Sequence, residues 1–360
     1  MFVKRDLRKV HEIVREDGKG SKKLVSLKLA RRGPEFRPGD LRCLCRESFA
    51  DAFEDLEYLS LYGNELKSVR DIGKTFKHSF DLTVLVLGNN RLGEAGEESL
   101  KEIGELRSLK ELWLDDNRMS SIPSSFKILS NLEMLRISGN RFKTLDADNL
   151  PGSCLKTLAA DRNQIERLPD SFFKHLTSLT RLELASNKLQ GVLPKLPDSI
   201  QHINVSSNKL TSIDSVFEVS SLISIRADSN LLIQLPEGAF EKLKPQGKIK
   251  LACFSHNHIV RAERRLCEFL LQNGEEEEKN VCRIVMVGNP IMNALGSEAS
   301  YIEIPLMVET TTDKNNNEEN EDIDNTLPTP PKKKRRCDED GEGKMEGETN
   351  EDEMAIDGDI

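Results

Sequence analysis

A pattern of eleven residues that recurs ten times constrains this chain of 360 residues more than any other feature. Apolar residues stand at positions 1, 4, 6 and 11 of the pattern, and asparagine stands at position 9. The copies begin at Leu56, Leu82, Leu109, Leu132, Leu155, Leu179, Ile200, Leu222, Ile249 and Val281. The asparagines, spaced 21 to 32 residues apart, are Asn64, Asn90, Asn117, Asn140, Asn163, Asn187, Asn208, Asn230, Asn257 and Asn289. Because self-similarity at a period of roughly 20–50 residues is typical of repeat architectures, each copy is predicted to form one coil of a solenoid.

The spacing within each copy predicts a short strand with one inward and one outward face. Apolar residues at positions 4 and 6 point inward, and the residues between them point to an open surface. One coil cannot bury its leucines alone, so stacked coils bury them, at ~1.5–3 kcal/mol per leucine. The asparagine amide is expected to satisfy buried backbone groups where the chain turns inward. The ten asparagines are therefore predicted to be structural.

These copies carry the signature L-x-x-L-x-L-x-x-N-x-L, and from about residue 24 to residue 305 the sequence resembles the intracellular leucine-rich-repeat family. A degenerate first copy has Leu24, Leu27 and Leu29. The resemblance implies an α/β fold: a horseshoe solenoid with a parallel concave sheet of about eleven short strands. Its convex side would be mixed, irregular near Pro123 and α-helical from Arg91 to Ile103.

Three segments follow from the pattern and the composition. Residues 1–23 are predicted to form a capping helix, because Val3, Leu7, Val10 and Val14 have helical spacing. Residues 24–305 form the repeat domain, in which an amphipathic helix from Val260 to Asn273 fills the longest spacing and residues 301–305 cover the last edge. Residues 306–360 hold 18 acidic and 7 basic residues and few apolar ones, so this tail is predicted to be disordered.

Catalytic, metal and cofactor motifs are absent from the sequence. Cys43-x-Cys45 lacks a second cysteine pair at zinc-like spacing, the six histidines form no known motif, and no phosphate-binding loop is present. The N-terminus lacks an apolar signal-peptide core, and no apolar run is long enough for a membrane helix. We therefore expect a non-enzymatic, intracellular protein without a cofactor, bound metal or membrane partner. The net charge of −9 makes a nucleic-acid partner a poor expectation.

Aromatic residues cluster among the outward positions of the first complete copies. The only tryptophan and two of the three tyrosines fall on three consecutive coils, and such side chains commonly anchor protein interfaces. The predicted partner-binding residues are Tyr58, Tyr62, Val84, Val86, Trp113, Asp115, Met134 and Arg136. The alternative is that loops of the cap partly cover these side chains. Further along, the outward positions are polar with mixed charge.

The tail contains a basic cluster formed by Lys332, Lys333, Lys334, Arg335 and Arg336. The preceding prolines are expected to favour an extended segment, and the cluster resembles a nuclear localisation signal read by an import receptor. The many acids that follow would repel nucleic-acid phosphate. Thr329, followed by Pro330, is a weak candidate for phosphorylation.

The function predicted from these features is a protein-binding scaffold or adaptor that uses its concave face and is nuclear, cytoplasmic or both. Two alternatives stay open at this stage. The chain could regulate an enzyme such as a phosphatase or a small GTPase, as other intracellular members of the family do. Its acidic tail could instead act as a chaperone for basic nuclear proteins.

Overall fold

The computed structural model describes residues 11–16, 22–29, 55–70, 72, 76, 81–243, 248–262, 266, 281–291 and 302–305. All of these residues belong to one compact unit that comprises residues 1–313. The predicted tail of residues 306–360, with its basic cluster from Lys332 to Arg336, lies outside the described residues.

Within the described ranges, thirteen strands form one sheet in which neighbours follow chain order. They are β1 (His11–Glu16), β2 (Lys22–Lys28), β3 (Tyr58–Ser60), β4 (Val84–Val86), β5 (Glu111–Trp113), β6 (Met134–Arg136), β7 (Thr157–Ala159), β8 (Arg181–Glu183), β10 (His202–Asn204), β12 (Ser224–Arg226), β13 (Leu251–Cys253), β14 (Val281–Val285) and β15 (Ile302–Pro305). Strands β9 (Gln190–Gly191) and β11 (Lys209–Leu210) pair separately, and the short helices α1 (Asp214–Phe217) and α2 (Ala239–Leu243) lie between coils. The eleven strands from β2 to β14 in the large sheet are parallel, which confirms the predicted solenoid.

Leucines at the same pattern position stack from coil to coil. Leu85, Leu112 and Leu135 are paired across β4, β5 and β6 without a register shift. All three are fully buried. A one-residue slip would turn each of these side chains to the open face, so burial of the leucines specifies the register of the sheet.

The asparagines at position 9 form a continuous ladder along the inner turn of the coils. Asn140 is representative: its Nδ2 donates to the carbonyls of Ile137 in its own coil and Leu114 in the preceding coil, both at 2.9 Å. Its Oδ1 accepts the backbone N–H groups of Asn117 at 3.0 Å and Met119 at 2.8 Å. All ten asparagines are buried, with exposed fractions of 0–8%. Each one therefore satisfies backbone groups that the short strands leave without a partner.

The residue before each ladder asparagine has a left-handed backbone. These residues, with φ between 52° and 75°, are Gly63, Asn89, Asp116, Gly139, Arg162, Ser186, Ser207, Ser229, His256 and Gly288. Only three are glycine, so seven coils hold a non-glycine residue in a conformation that costs roughly 1–2 kcal/mol. The inward turn of the chain therefore includes backbone strain in these seven coils.

The convex segment from Arg91 to Ile103, predicted as an α-helix, consists of 3₁₀ turns. They span Leu92–Ala95, Glu97–Ser99 and Lys101–Glu105. The prediction of an α-helix was wrong because Gly96, with φ of 72° and ψ of −175°, interrupts any continuous helix. Leu100 and Ile103 are nevertheless buried, as their shared apolar face requires.

The first cap also differs from its prediction. Residues 11–16 of the predicted helix 1–23 form strand β1, which pairs antiparallel with β2. Without β1, strand β2 would be an edge strand with unpaired backbone N–H and C=O groups. The segment that contains the β-branched residues Ile13 and Val14 favours a strand, and it pairs with those groups. Lys22 and Lys23 belong to β2, and the other residues of the predicted helix are outside the described ranges. At the other end of the sheet, β15 pairs antiparallel with β14.

The segment from Val260 to Asn273 is described only in part. Leu266 is helical and buried, whereas residues 263–265 and 267–280 are outside the described ranges. Val260, the first residue of the predicted helix, is not helical and is 52% exposed. Its backbone N–H donates to Ile233 O at 2.9 Å, so Val260 continues the flank of the coil and the predicted start of the helix was wrong. No helix among the described residues has the length and apolar character needed to cross a membrane.

Candidate protein-binding surface on the concave sheet

The outward positions of the four consecutive strands β3 to β6 carry most of the predicted partner-binding residues, and Tyr62 follows the end of β3. Tyr58, Val84, Glu111 and Met134 are neighbours in one row, and Val86, Trp113 and Arg136 are neighbours in a second row. We call the half-buried outward side chains the aromatic patch: Tyr58, Tyr62, Val84, Trp113, Met134 and Arg136.

Trp113 is held in place by two polar neighbours. The Arg136 guanidinium lies 4.3 Å from the centre of the indole ring, which is cation–π distance. The indole Nε1 donates to Glu111 Oε2 at 3.2 Å. These contacts fix the ring before any partner arrives, which reduces the conformational entropy lost on binding.

Asp115, predicted to contact a partner, instead supports Arg136. Its Oδ2 accepts Arg136 Nε at 3.1 Å, and its Oδ1 accepts the backbone N–H of Ser138 at 3.0 Å. The carboxylate is only 12% exposed, and this burial raises the pKa of Asp115, with Arg136 acting in the opposite direction. Asp115 therefore positions the cation that covers Trp113 and is not itself part of the accessible surface.

Val86 is also absent from the accessible surface. It is 1% exposed, although the pattern predicts an outward position. Val86 is paired in register with Trp113 on β5, and its side chain is buried. The prediction of Val86 as a contact residue was wrong because an outward pattern position does not by itself leave a side chain exposed.

The tyrosines of the aromatic patch rest on residues of neighbouring coils. Lys28 Nζ lies 5.5 Å from the ring centre of Tyr58, and burial lowers the pKa of this lysine. A Cβ atom added to Gly88 would lie 3.1 Å from Cδ2 of Tyr62, so Gly88 makes room for that ring. The sequence did not reveal Lys28 because the first copy of the repeat is degenerate.

A second ladder, of aspartates at pattern position 7, runs along the edge of the concave face. Asp161 Oδ1 accepts the backbone N–H of Ala185 at 2.7 Å, and Asp228 Oδ1 accepts that of Ser255 at 2.8 Å. The contact from Asp115 to Ser138 is the same. The carboxylates thus cap N–H groups just beyond the ends of the strands. The sequence pattern that could have revealed this ladder is an aspartate at position 7 followed by a small residue at position 7 of the next coil.

Asp161 is the ladder carboxyl whose ionisation is most affected. Burial, reinforced by the nearby Glu183, raises the pKa of Asp161 to about 6. The Ser138 hydroxyl donates to its Oδ2 at 3.4 Å and acts in the opposite direction. This carboxyl therefore titrates well above the usual range for aspartate.

The remaining concave strands carry polar side chains of mixed charge. Arg181 and Glu183 form an ion pair of 3.2 Å on β8. Burial lowers the pKa of His202, with Arg181 adding to the effect, and burial raises the pKa of Cys253 to about 11. Among the described residues, no group of three or more histidine, cysteine or acidic side chains could hold a metal ion.

Comparisons with known proteins match this architecture. The family model described as leucine rich repeat matches residues 80–142 and 153–196. Lumican from Mus musculus is 33% identical over 199 residues, covering 46% of this chain and 56% of lumican. Lumican from Bos taurus is 30% identical over 244 residues, covering 58% of this chain and 68% of lumican. This chain thus spans about half the length of the mouse relative.

A solved structure agrees at the level of fold. It is the LRR ectodomain of the plant membrane receptor kinase GASSHO1/SCHENGEN3 from Arabidopsis thaliana, in complex with CASPARIAN STRIP INTEGRITY FACTOR 2. The TM-score is 0.52 at 20% sequence identity, over 77% of this chain and 31% of the ectodomain chain. At this identity the likeness shows the fold alone.

Proposed function

Because this chain belongs to the leucine-rich-repeat family, we propose that it is a non-enzymatic scaffold or adaptor that binds a protein partner on its concave face. The observation that carries the proposal is the aromatic patch on β3 to β6. Half-buried aromatic side chains on a rigid sheet provide the large contact area and low entropy loss that are typical of interface anchors.

The construction of the convex side supports a scaffold over a regulator of small GTPases. The GTPase-activating branch of the family, to which the acidic tail invites comparison, is built from helical repeats throughout. Here the described convex segments are mainly short 3₁₀ turns, such as Ser124–Ile128 and Ala147–Asn149. Two other functions, regulation of a phosphatase and binding of basic proteins by the tail, are alternatives that the identity of the recovered partner would distinguish.

A variant of Trp113 in the full-length protein tests this function. Tagged wild type, Trp113→Ala and the control Arg167→Ala, an exposed residue outside the aromatic patch, would be compared by quantitative affinity purification. We expect at least one protein to be retained by wild type and the control but lost with Trp113→Ala. For that purified partner the affinity should fall by more than ~2 kcal/mol, or roughly 30-fold. Equal recovery of every protein by Trp113→Ala would contradict the proposal.

Accessibility of the single tryptophan provides a faster check. Because Arg136 covers one face of the indole, we expect partial quenching of its fluorescence by iodide or acrylamide. Addition of the partner should protect it. Complete resistance to quenching in the free protein would place Trp113 in the core and remove the proposed site.

We also propose that the basic cluster from Lys332 to Arg336 directs nuclear import through an import receptor. Its support is compositional: five bases follow prolines in a tail too poor in apolar residues to bury them. A full-length fluorescent fusion should be mainly nuclear, and Lys333→Ala combined with Lys334→Ala should shift it to the cytoplasm. A double variant that stays nuclear would show that this cluster does not direct import.

A further inference from the structure

The outer flank of the coils changes character along the solenoid. Positions 10 and 12 of the pattern face outward just after the ladder asparagine. In the first coils these positions and their neighbours carry ion pairs: Arg91 with Glu65 at 3.2 Å, Lys67 with Glu94 at 3.2 Å, and Arg118 with Glu94. The charges on the first part of the flank are therefore paired with one another.

Of the four later coils that begin at Leu179, Ile200, Leu222 and Ile249, the last two expose apolar side chains at these positions. Leu231 is 41% exposed, Ile233 is 55% exposed and Val260 is 52% exposed. Ile233 and Val260 are immediate neighbours because Val260 N donates to Ile233 O at 2.9 Å. Isolated exposed apolar residues are ordinary, whereas a contiguous group on one face indicates an interaction surface.

Cations surround these apolar side chains. Lys188 and Lys209 occupy position 10 of the two preceding coils, and Arg261 follows Val260. All three are exposed, and none has a salt-bridge partner within the described part of the chain. From pattern position 8 to position 13 these four coils contain no acidic residue. We call this surface the flank patch: Lys188, Lys209, Leu231, Ile233, Val260 and Arg261.

The backbone holds the flank patch flat. Lys209 N donates to Leu189 O at 2.8 Å, and Leu231 N donates to Leu210 O at 2.9 Å. Hydrogen bonds of this kind continue the spacing of a sheet, in which neighbouring chains lie ~4.8 Å apart. The side chains of Lys209 and Leu231 are therefore presented side by side from a rigid base.

We propose that the flank patch is a second binding surface, separate from the aromatic patch, for an acidic peptide segment that carries apolar side chains. Two or three carboxylates of such a segment would meet the cations, while its apolar side chains would cover Leu231, Ile233 and Val260. The patch contains no aromatic side chain, whereas surfaces that bind single-stranded nucleic acid stack bases on aromatics. Charge complementarity together with the apolar centre therefore favours a peptide.

A peptide array tests the proposed occupant. Octapeptides with a central pair of leucine or isoleucine residues would be flanked by aspartate and glutamate, by asparagine, or by lysine, and probed with labelled full-length protein. We expect binding only to the acidic set, and it should weaken at least tenfold between 50 and 500 mM salt because exposed charges are screened. A 12-nucleotide single-stranded DNA and anionic vesicles serve as competing probes. Tighter binding to either probe than to every acidic peptide would overturn the proposal.

Variants locate the binding on the flank patch. Lys209→Glu combined with Arg261→Glu should lower the affinity for the best acidic peptide at least tenfold, measured by fluorescence anisotropy. Ile233→Ser should lower this affinity severalfold. Lys143→Glu is the matched control, because Lys143 is an exposed lysine at position 12 of an earlier coil. Trp113→Ala should leave the peptide affinity unchanged, so this inference and the proposed function can fail separately. Unchanged affinity in the double variant, or equal loss in the control, would overturn the proposal.

Discussion

Positions 9 and 10 of the repeat are adjacent in sequence and differ in what they are required to do. Position 9 is asparagine in all ten copies, because in each coil its amide bonds backbone groups that face the interior. Position 10 is Glu65 in the first complete copy, Lys209 in a later one and Leu231 in the next. The residue at position 9 is constrained by backbone hydrogen bonds that are the same in every coil. The residue at position 10 has no such constraint, so its side chain can differ from coil to coil.

The largest effect is expected where coils share their core. Leu135→Ala and Leu182→Ala should each lower the free energy of unfolding by ~2–5 kcal/mol, because both leucines are fully buried between neighbouring coils. Chemical denaturation measures the loss. Similar losses of unfolding free energy at both sites would support an interior that is packed alike in different coils. A loss near zero at either site would contradict the strand register that buries these leucines.

A smaller effect should separate positions 9 and 10 directly. Asn208→Ala should cost about 1–3 kcal/mol, since it leaves the carbonyls of Leu184 and Val205 without their amide donor. Lys209→Ala, one residue further, should change stability by less than about 0.5 kcal/mol. Urea denaturation of the two variants gives the comparison, and equal losses would show that the inward and outward positions do not differ as proposed.

The aspartate ladder should make stability depend on pH. The pKa of Asp161 is raised to about 6, so the folded state keeps a proton that the unfolded state has already released. Stability should be highest below pH ~4 for this group and fall as the pH rises to ~6. Two pKa units correspond to at most ~3 kcal/mol, and solvent screening reduces the expected fall to ~1 kcal/mol.

Asp161→Asn isolates this contribution, because an amide oxygen can still accept the Ala185 N–H without ionising. Unfolding free energies would be measured at pH 4 and pH 7 for both proteins. Relative to wild type, the variant should be more stable at pH 7 than at pH 4. The opposite sign would show that burial does not favour the protonated carboxyl.

The smallest effect concerns the left-handed residue before the ladder. Ser207→Gly should raise stability by up to ~1 kcal/mol, because serine at φ of 56° is strained and glycine is not. Greater freedom of glycine in the unfolded chain offsets part of the gain. Gly139→Ala is the converse test: alanine would be strained at φ of 67°, and its Cβ would also displace the Asp116 side chain, so it should destabilise. Thermal melts of both variants check the pair.

The pattern alone predicted the repeat boundaries, the parallel sheet and the role of the asparagines. Even Asn289, which follows a spacing of 32 residues, bonds Met286 O and Phe254 O as its counterparts do. Such features are predictable because they arise within one coil and recur. It also placed Tyr58, Tyr62 and Trp113 within three consecutive coils, because parallel pairing in chain order follows from the repeat.

Tertiary structure alone decided which outward residues are accessible and which charges are paired. Val86 is buried, and Asp115 is hydrogen-bonded to Arg136, although both stand at outward positions. The first cap is a strand because the edge of β2 requires hydrogen bonds, and Gly96 interrupts the predicted convex helix. The physical reason is common to these cases: periodicity describes one coil, whereas burial, ion pairing and edge protection depend on neighbours 20 to 30 residues away, whose size and charge the period does not specify.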